Sequence, residues 1–228
     1  MGQEQIFAHE LFRLGPLVIR DTVVTTWLLM LGIWLACWYL VGRPRAEAGL
    51  LRSAVEGIVL SIEDAVQQVL PQQRAMVLPF ILTLWTFLVV ANLAGLIPGL
   101  HSPTRDPSAT AALAVLVFLS VHWFGIRSMG LRDYLRHYLS PTPILLPFHI
   151  ISEITRTLAL AVRLFGNMMS LELVALLLLW VGGLLVPIPI LMLHIVEALV
   201  QAYIFGMLAL IYIAGSIQSQ QLRQQKKV

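Results

Sequence analysis

Hydrophobic residues in this chain gather into long unbroken runs, and polar residues gather in the gaps between them. Residues 22 to 42 form an uncharged stretch of 21 residues, which at about 1.5 Å rise per residue crosses a hydrocarbon core of about 30 Å. The segment before it, 1 to 21, holds Glu4, Glu10 and Asp21 as well as Arg13 and Arg20. That mixture is unlike the basic end of a cleaved signal, so the first span is expected to stay in the mature protein. Residues 45 to 70 have a different rhythm. Leu50, Leu51, Val55, Ile58, Val59, Ile62 and Val66 recur at helical spacing among charges, which predicts an amphipathic helix lying on the membrane surface or against a partner helix.

Further apolar runs cover 75 to 100, ending at Pro98-Gly99, and about 108 to 126, before Arg127. From Ile144 to Leu185 the chain is apolar for about 42 residues, a helix of about 60 Å, too long to cross upright. The last run, 187 to 216, follows the Pro187 and Pro189 break and leads into a polar tail, 218 to 228. The pattern predicts an all-α polytopic membrane protein: about five transmembrane helices and one surface helix, read as one membrane domain with its core at 75 to 217.

Composition sharpens this picture. Of 228 residues 58% are hydrophobic and 12% charged, with a mean hydropathy of +0.84, more apolar surface than a soluble domain of this size hides. Cys37 is the single cysteine, so a disulfide scaffold is excluded, and a net charge of +3 offers no dense basic face for nucleic acid. The basic residues report topology instead. With the amino terminus outside, Arg13, Arg20 and Arg105 lie outside, against Arg43, Arg45, Arg52, Arg74, Arg127, Arg132, Arg136, Arg223, Lys226 and Lys227 inside. The positive-inside rule then sets the carboxyl terminus in the cytoplasm.

Inside the long apolar stretch sit Glu153, Arg156, Arg163, Asn167 and Glu172, and a charge at the bilayer centre costs about 2.5 to 3.5 kcal/mol even on a lenient scale. Glu153 and Arg156, at i and i+3, suit a structural ion pair. Arg163 has no carboxylate among its helical neighbours, and it stays protonated in essentially any site. It therefore serves as a fixed positive barrier or a transient counter-ion, never as a proton relay. On the last helix His194, Glu197 and Gln201 fall within a stripe about 60 degrees wide. Helix packing and a water-lined ion path both account for that stripe. A zinc site would need further ligands, and no H-E-x-x-H or Walker string occurs.

The segment TRTLALAVRLFGNMMSLELV, 155 to 174, resembles the signature of subunit a of the rotary F-type ATP synthases. VANLAGLIPG at 90 to 99, SATAALAVLVFLSVHWFGI at 108 to 126 and HIVEALVQAYIFGMLALIYIAG at 194 to 215 agree with that family in order and spacing. The string from Tyr138 to Ser170 looks closer to the sodium-type branch, the N-ATPases. The resemblance implies a non-catalytic stator whose last two helices, long and tilted, face a rotating c-ring, and it implies no cofactor. Two half-channels would carry H+ or Na+ to and from the ring. Arg163 matches the family's essential arginine, Asn167 the asparagine one turn on, and Glu172 the acidic residue of the outer half-channel. His194 matches the partner of that acid, Gln201 the glutamine near the arginine, and Asn92 and Asp106 polar positions of the outer path. Glu197 stands where many relatives are apolar. Implied partners are the c-ring, the subunit b peripheral stalk, the remaining synthase subunits and the lipid of a bacterial inner membrane, with no nucleic acid. The alternatives are a self-contained channel or transporter and, from another class, an intramembrane enzyme, for which no paired-aspartate, Ser-His or zinc motif is present.

Overall fold

The computed structural model describes residues 10–14, 17–42, 50–97, 102–131, 134, 146–183 and 187–225. Among the described residues five helices are long and apolar enough to cross a membrane. The first, α1 (Asp21–Gly42), is preceded by a two-stranded antiparallel hairpin of β1 (Glu10–Leu14) and β2 (Leu17–Arg20). The amphipathic helix α2 (Leu50–Val69) follows, then α3 (Arg74–Ala94), a 3-10 turn (Pro103–Arg105), α4 (Pro107–Met129), α5 (Leu146–Gly182) and α6 (Pro187–Gln225).

The core is built around α6. Its Ala202, Phe205, Ala209, Leu210 and Ile213 are buried against Ile81, Leu84 and Leu88 of α3 and Ala114, Val117 and Val121 of α4. Small residues on α6 let the backbones approach closely, as helix packing in lipid favours. At Gly206 the approach is closest: a Cβ there would overlap the Trp85 indole, and the same indole donates from Nε1 to the Tyr203 carbonyl at 3.3 Å.

Helix α2 packs on partner helices: Ile62, Val66 and Leu70 enter the core cluster, Gln218 of α6 donates to the Val69 carbonyl at 2.9 Å, and Arg74 pairs with Glu63 and donates to Gln67. Its Val55, Ile58 and Leu60 remain exposed. Helix α5 runs unbroken for 37 residues, and only one side of it is covered, through Leu160, Leu164, Met168 and Leu171. Helix α1 stands at the periphery, exposing Trp27, Trp34 and Trp38. A cavity of about 790 Å³ separates it from α3 and α4, lined by residues such as Met30, Phe80, Phe87 and Leu116.

Candidate functional site

Chain direction divides the bundle into two ends. The end of α3, the 3-10 turn and the start of α6 lie at one end; the end of α4, the start of α5 and the last turns of α6 lie at the other. Asn92 and Asp106 belong to the first end. Asn92 is fully buried, donating from Nδ2 to the Ala198 carbonyl of α6 at 3.2 Å and accepting from Thr104 Oγ1 at 2.9 Å. A 2.6 Å contact joins Thr104 to Ser102, which reaches the Ala91 carbonyl at 2.8 Å. Sequence reasoning missed Ser102 and Thr104, which lie outside the long helices and reach back to Ala91 and Asn92 at the end of α3.

Asp106 caps α4. Its Oδ1 accepts from Ser108 N at 2.9 Å and from Ser108 Oγ at 2.6 Å, while Oδ2 accepts from Thr22 Oγ1 of α1 at 2.9 Å. The carboxylate thus satisfies an orphan donor of the helix start and ties the peripheral α1 to the bundle.

Midway along the bundle, α5 and α6 meet through polar side chains. Asn167 Nδ2 donates to Gln201 Oε1 at 2.7 Å. Gln201 is 1% exposed and His194 is 7% exposed. Their Nε2 atoms are the two buried side-chain polar atoms without a partner among the described residues. Both sit on the α6 stripe, about 10 Å apart along the axis, with the Asn92 bond to Ala198 between them. Unpaired polar atoms in an apolar helix call for water or a passing ion. Glu197, on the same stripe, is half-buried.

Arg163 lies one helical turn before Asn167 on α5, and it is exposed. On its own face of α5 stand Ala159 and Asn167, one turn away, and Arg156 and Ser170, two turns away, while Leu158 and Val162 of α5 and Val196, Val200 and Tyr203 of α6 are also exposed. Among the described residues no ion pair or hydrogen bond reaches it. The side chain of Glu172 lies outside the described residues.

Glu153 and Arg156 do not take each other as partners. Glu153 Oε2 lies 3.1 Å from His122 Nε2 of α4, and the Arg156 guanidinium sits 4.6 Å from the centroid of the Tyr212 ring on α6. The expected intrahelical pair gives way to two interhelical contacts because both neighbouring helices bring a polar ring within reach. No cluster of three or more metal-ligating side chains occurs among the described residues.

A family model described as ATP synthase A chain matches residues 23–214. The chain is 64% identical over 217 residues to ATP synthase subunit a 2 of Pelobacter propionicus, covering 95% of each. It is 54% identical over 230 residues to ATP synthase subunit a of Legionella pneumophila, covering 99% of this chain and 98% of the relative. With ATP synthase subunit a 1 of Hahella chejuensis it shares 61% identity over 205 residues, covering 90% of this chain and 87% of that one.

Proposed function

This chain belongs to the ATP synthase A chain family, and from that premise we propose that Arg163 is the fixed charge that separates two ion access routes against a rotating ring of carboxylate-bearing subunits. The chain is the ion-conducting, non-catalytic stator subunit of the Fo membrane sector. The observation that carries the residue-level reading is Arg163 itself: a permanent cation exposed on a membrane-spanning helix, with no partner among the described residues. Left against lipid it would cost several kcal/mol. A carboxylate arriving on a neighbouring subunit removes that cost, and the charge of arginine survives each arrival because its pKa exceeds about 12.

Asn167 and Gln201 hold α5 and α6 together one turn from the arginine, fixing the helix pair that faces the ring. The stripe of His194, Glu197 and Gln201, with Asn92 and Asp106 behind it, lines the route from the outer side, together with Glu172. Torque arises because the two routes meet the ring on opposite sides of Arg163. Each elementary charge crossing 100 mV gains about 2.3 kcal/mol, so several ions pass per ATP. The amino terminus is placed outside and the carboxyl terminus in the cytoplasm of a bacterial inner membrane, with the c-ring on the α5 and α6 face and the peripheral stalk and remaining synthase subunits elsewhere. H+ and Na+ are both compatible with these residues, because the ion's own ligands lie on the ring. The test is ATP-driven ion uptake by vesicles containing the whole complex. Uptake abolished by Arg163→Ala supports the reading, and unaltered coupling in that variant refutes it.

A further inference from the structure

The polar groups at the cytoplasmic end of the bundle are not used by the route described above. His122, on the largely apolar helix α4, places Nδ1 2.9 Å from the Phe118 carbonyl oxygen. A carbonyl only accepts, so Nδ1 carries a hydrogen, and a neutral ring then presents a bare Nε2. Yet Nε2 stands 3.1 Å from a Glu153 carboxylate oxygen. Two acceptors do not sit at that distance without a hydrogen between them. The pair therefore contains one further proton, carried as imidazolium facing carboxylate or as carboxylic acid facing imidazole.

We propose that His122 and Glu153 form a proton-holding station on the cytoplasmic access route, taking one proton between Nε2 and Oε2 and releasing it to water on either side. The proposal rests on the stator reading above. Three features support a station rather than a brace. The two side chains are 27% and 21% exposed, so neither is packed away inside the bundle. Glu153 precedes Arg163 by ten residues, about 15 Å along α5, which sets the pair on the opposite side of the arginine from His194 and Asn92. And the site is built from several elements: at Gly125 a Cβ would clash with the Tyr134 ring and Ser216 Oγ, so the glycine lets α4, Tyr134 and α6 converge beside the imidazole.

Among the described residues the titratable and charged groups around the pair are Tyr134, Arg156 and Arg127. The Tyr134 ring lies 6.0 Å from the imidazole, Arg156 of α5 is held over Tyr212 of α6, and Arg127 lies farther along α4 and is exposed. Arg156 is a permanent cation one turn from Glu153, and its field favours release of the shared proton. The Phe118 ring lies 4.4 Å from the imidazole.

The experiment uses inverted vesicles carrying the whole synthase, with lumenal pH buffered at one value and external pH, which is the cytoplasmic side, varied between about 5 and 8. ATP-driven proton uptake is measured for wild type, Glu153→Gln, Glu153→Asp and Arg163→Ala. The glutamine fills the same space and still bonds to the imidazole, but it cannot hold the proton. It is expected to slow uptake by about tenfold or more and to flatten the dependence on external pH, while Glu153→Asp restores both. Arg163→Ala abolishes uptake whatever the pair does, so survival of uptake in that variant overturns the stator reading itself. If Arg163→Ala is inactive while Glu153→Gln keeps the wild-type rate and pH response, the station alone is overturned. An aspartate no better than the glutamine also overturns it, since shape and not the proton is then what matters. Should Glu153→Gln fail to assemble, His122→Gln is read by the same pH response, and a wild-type profile there overturns the proposal.

Discussion

Asn167 and Gln201 offer a test whose magnitude follows from the geometry. Their single hydrogen bond is 2.7 Å long and joins α5 to α6, and Gln201 is buried with Nε2 already unpaired. Interhelical hydrogen bonds in membranes are worth about 0.6 kcal/mol on average and about 1.7 at most, which corresponds to roughly 3-fold to 20-fold in an equilibrium between seated and unseated helices. Asn167→Ala removes the donor and leaves the whole Gln201 amide buried without a partner, adding a desolvation cost of about 1 to 3 kcal/mol. Gln201→Leu removes the acceptor and the buried orphan together, so it is expected to cost less. The double variant should resemble Gln201→Leu rather than the sum of the two, because the penalty in Asn167→Ala lies on a group the leucine deletes. The assay is the thermal midpoint and the ATP-driven ion uptake of the assembled complex for the four members of the cycle. Additive losses, or an Asn167→Ala variant no weaker than Gln201→Leu, would refute the claim that this bond seats the two helices.

Further substitutions at Gly206, Trp85 and Asp106 probe the frame that holds this site. Gly206→Ala drives a methyl into the Trp85 indole and is expected to lower complex stability by about 1 to 3 kcal/mol, with Trp85→Leu recovering part of the loss in a thermal melt; an unaltered midpoint for the single variant would contradict the packing. Asp106→Ala deletes the cap of α4 and the tie to Thr22, costing about 1 kcal/mol, whereas Asp106→Asn keeps a capping oxygen and should melt within a few tenths of a kcal/mol of wild type.

The spans were legible because hydropathy is a local property: the runs at 22 to 42, 75 to 100 and 108 to 126 became α1, α3 and α4 within a few residues. The amphipathic reading of 45 to 70 was legible too, but not the surface that its apolar face would meet, since lipid and a neighbouring helix present the same chemistry to Val66. The hairpin of β1 and β2 went unread although Gly15-Pro16 between two short apolar stretches is a turn signal. The separation of Glu153 from Arg156 was beyond sequence reasoning. Spacing of i and i+3 reports what one helix allows, while the actual partners, His122 and Tyr212, come from other helices. Arg163 stood out for the opposite reason: a permanent charge in an apolar run is conspicuous whatever surrounds it, and the fold leaves it exposed.

The most direct test of the central claim is ion uptake driven by ATP in vesicles containing the whole complex, with wild-type chain or Arg163→Ala, followed across a sodium titration at fixed pH. The account expects the variant to assemble and to lose coupled uptake, whether wild-type transport tracks sodium or proceeds as sodium-independent acidification. Normal coupled uptake with alanine at position 163 would contradict it.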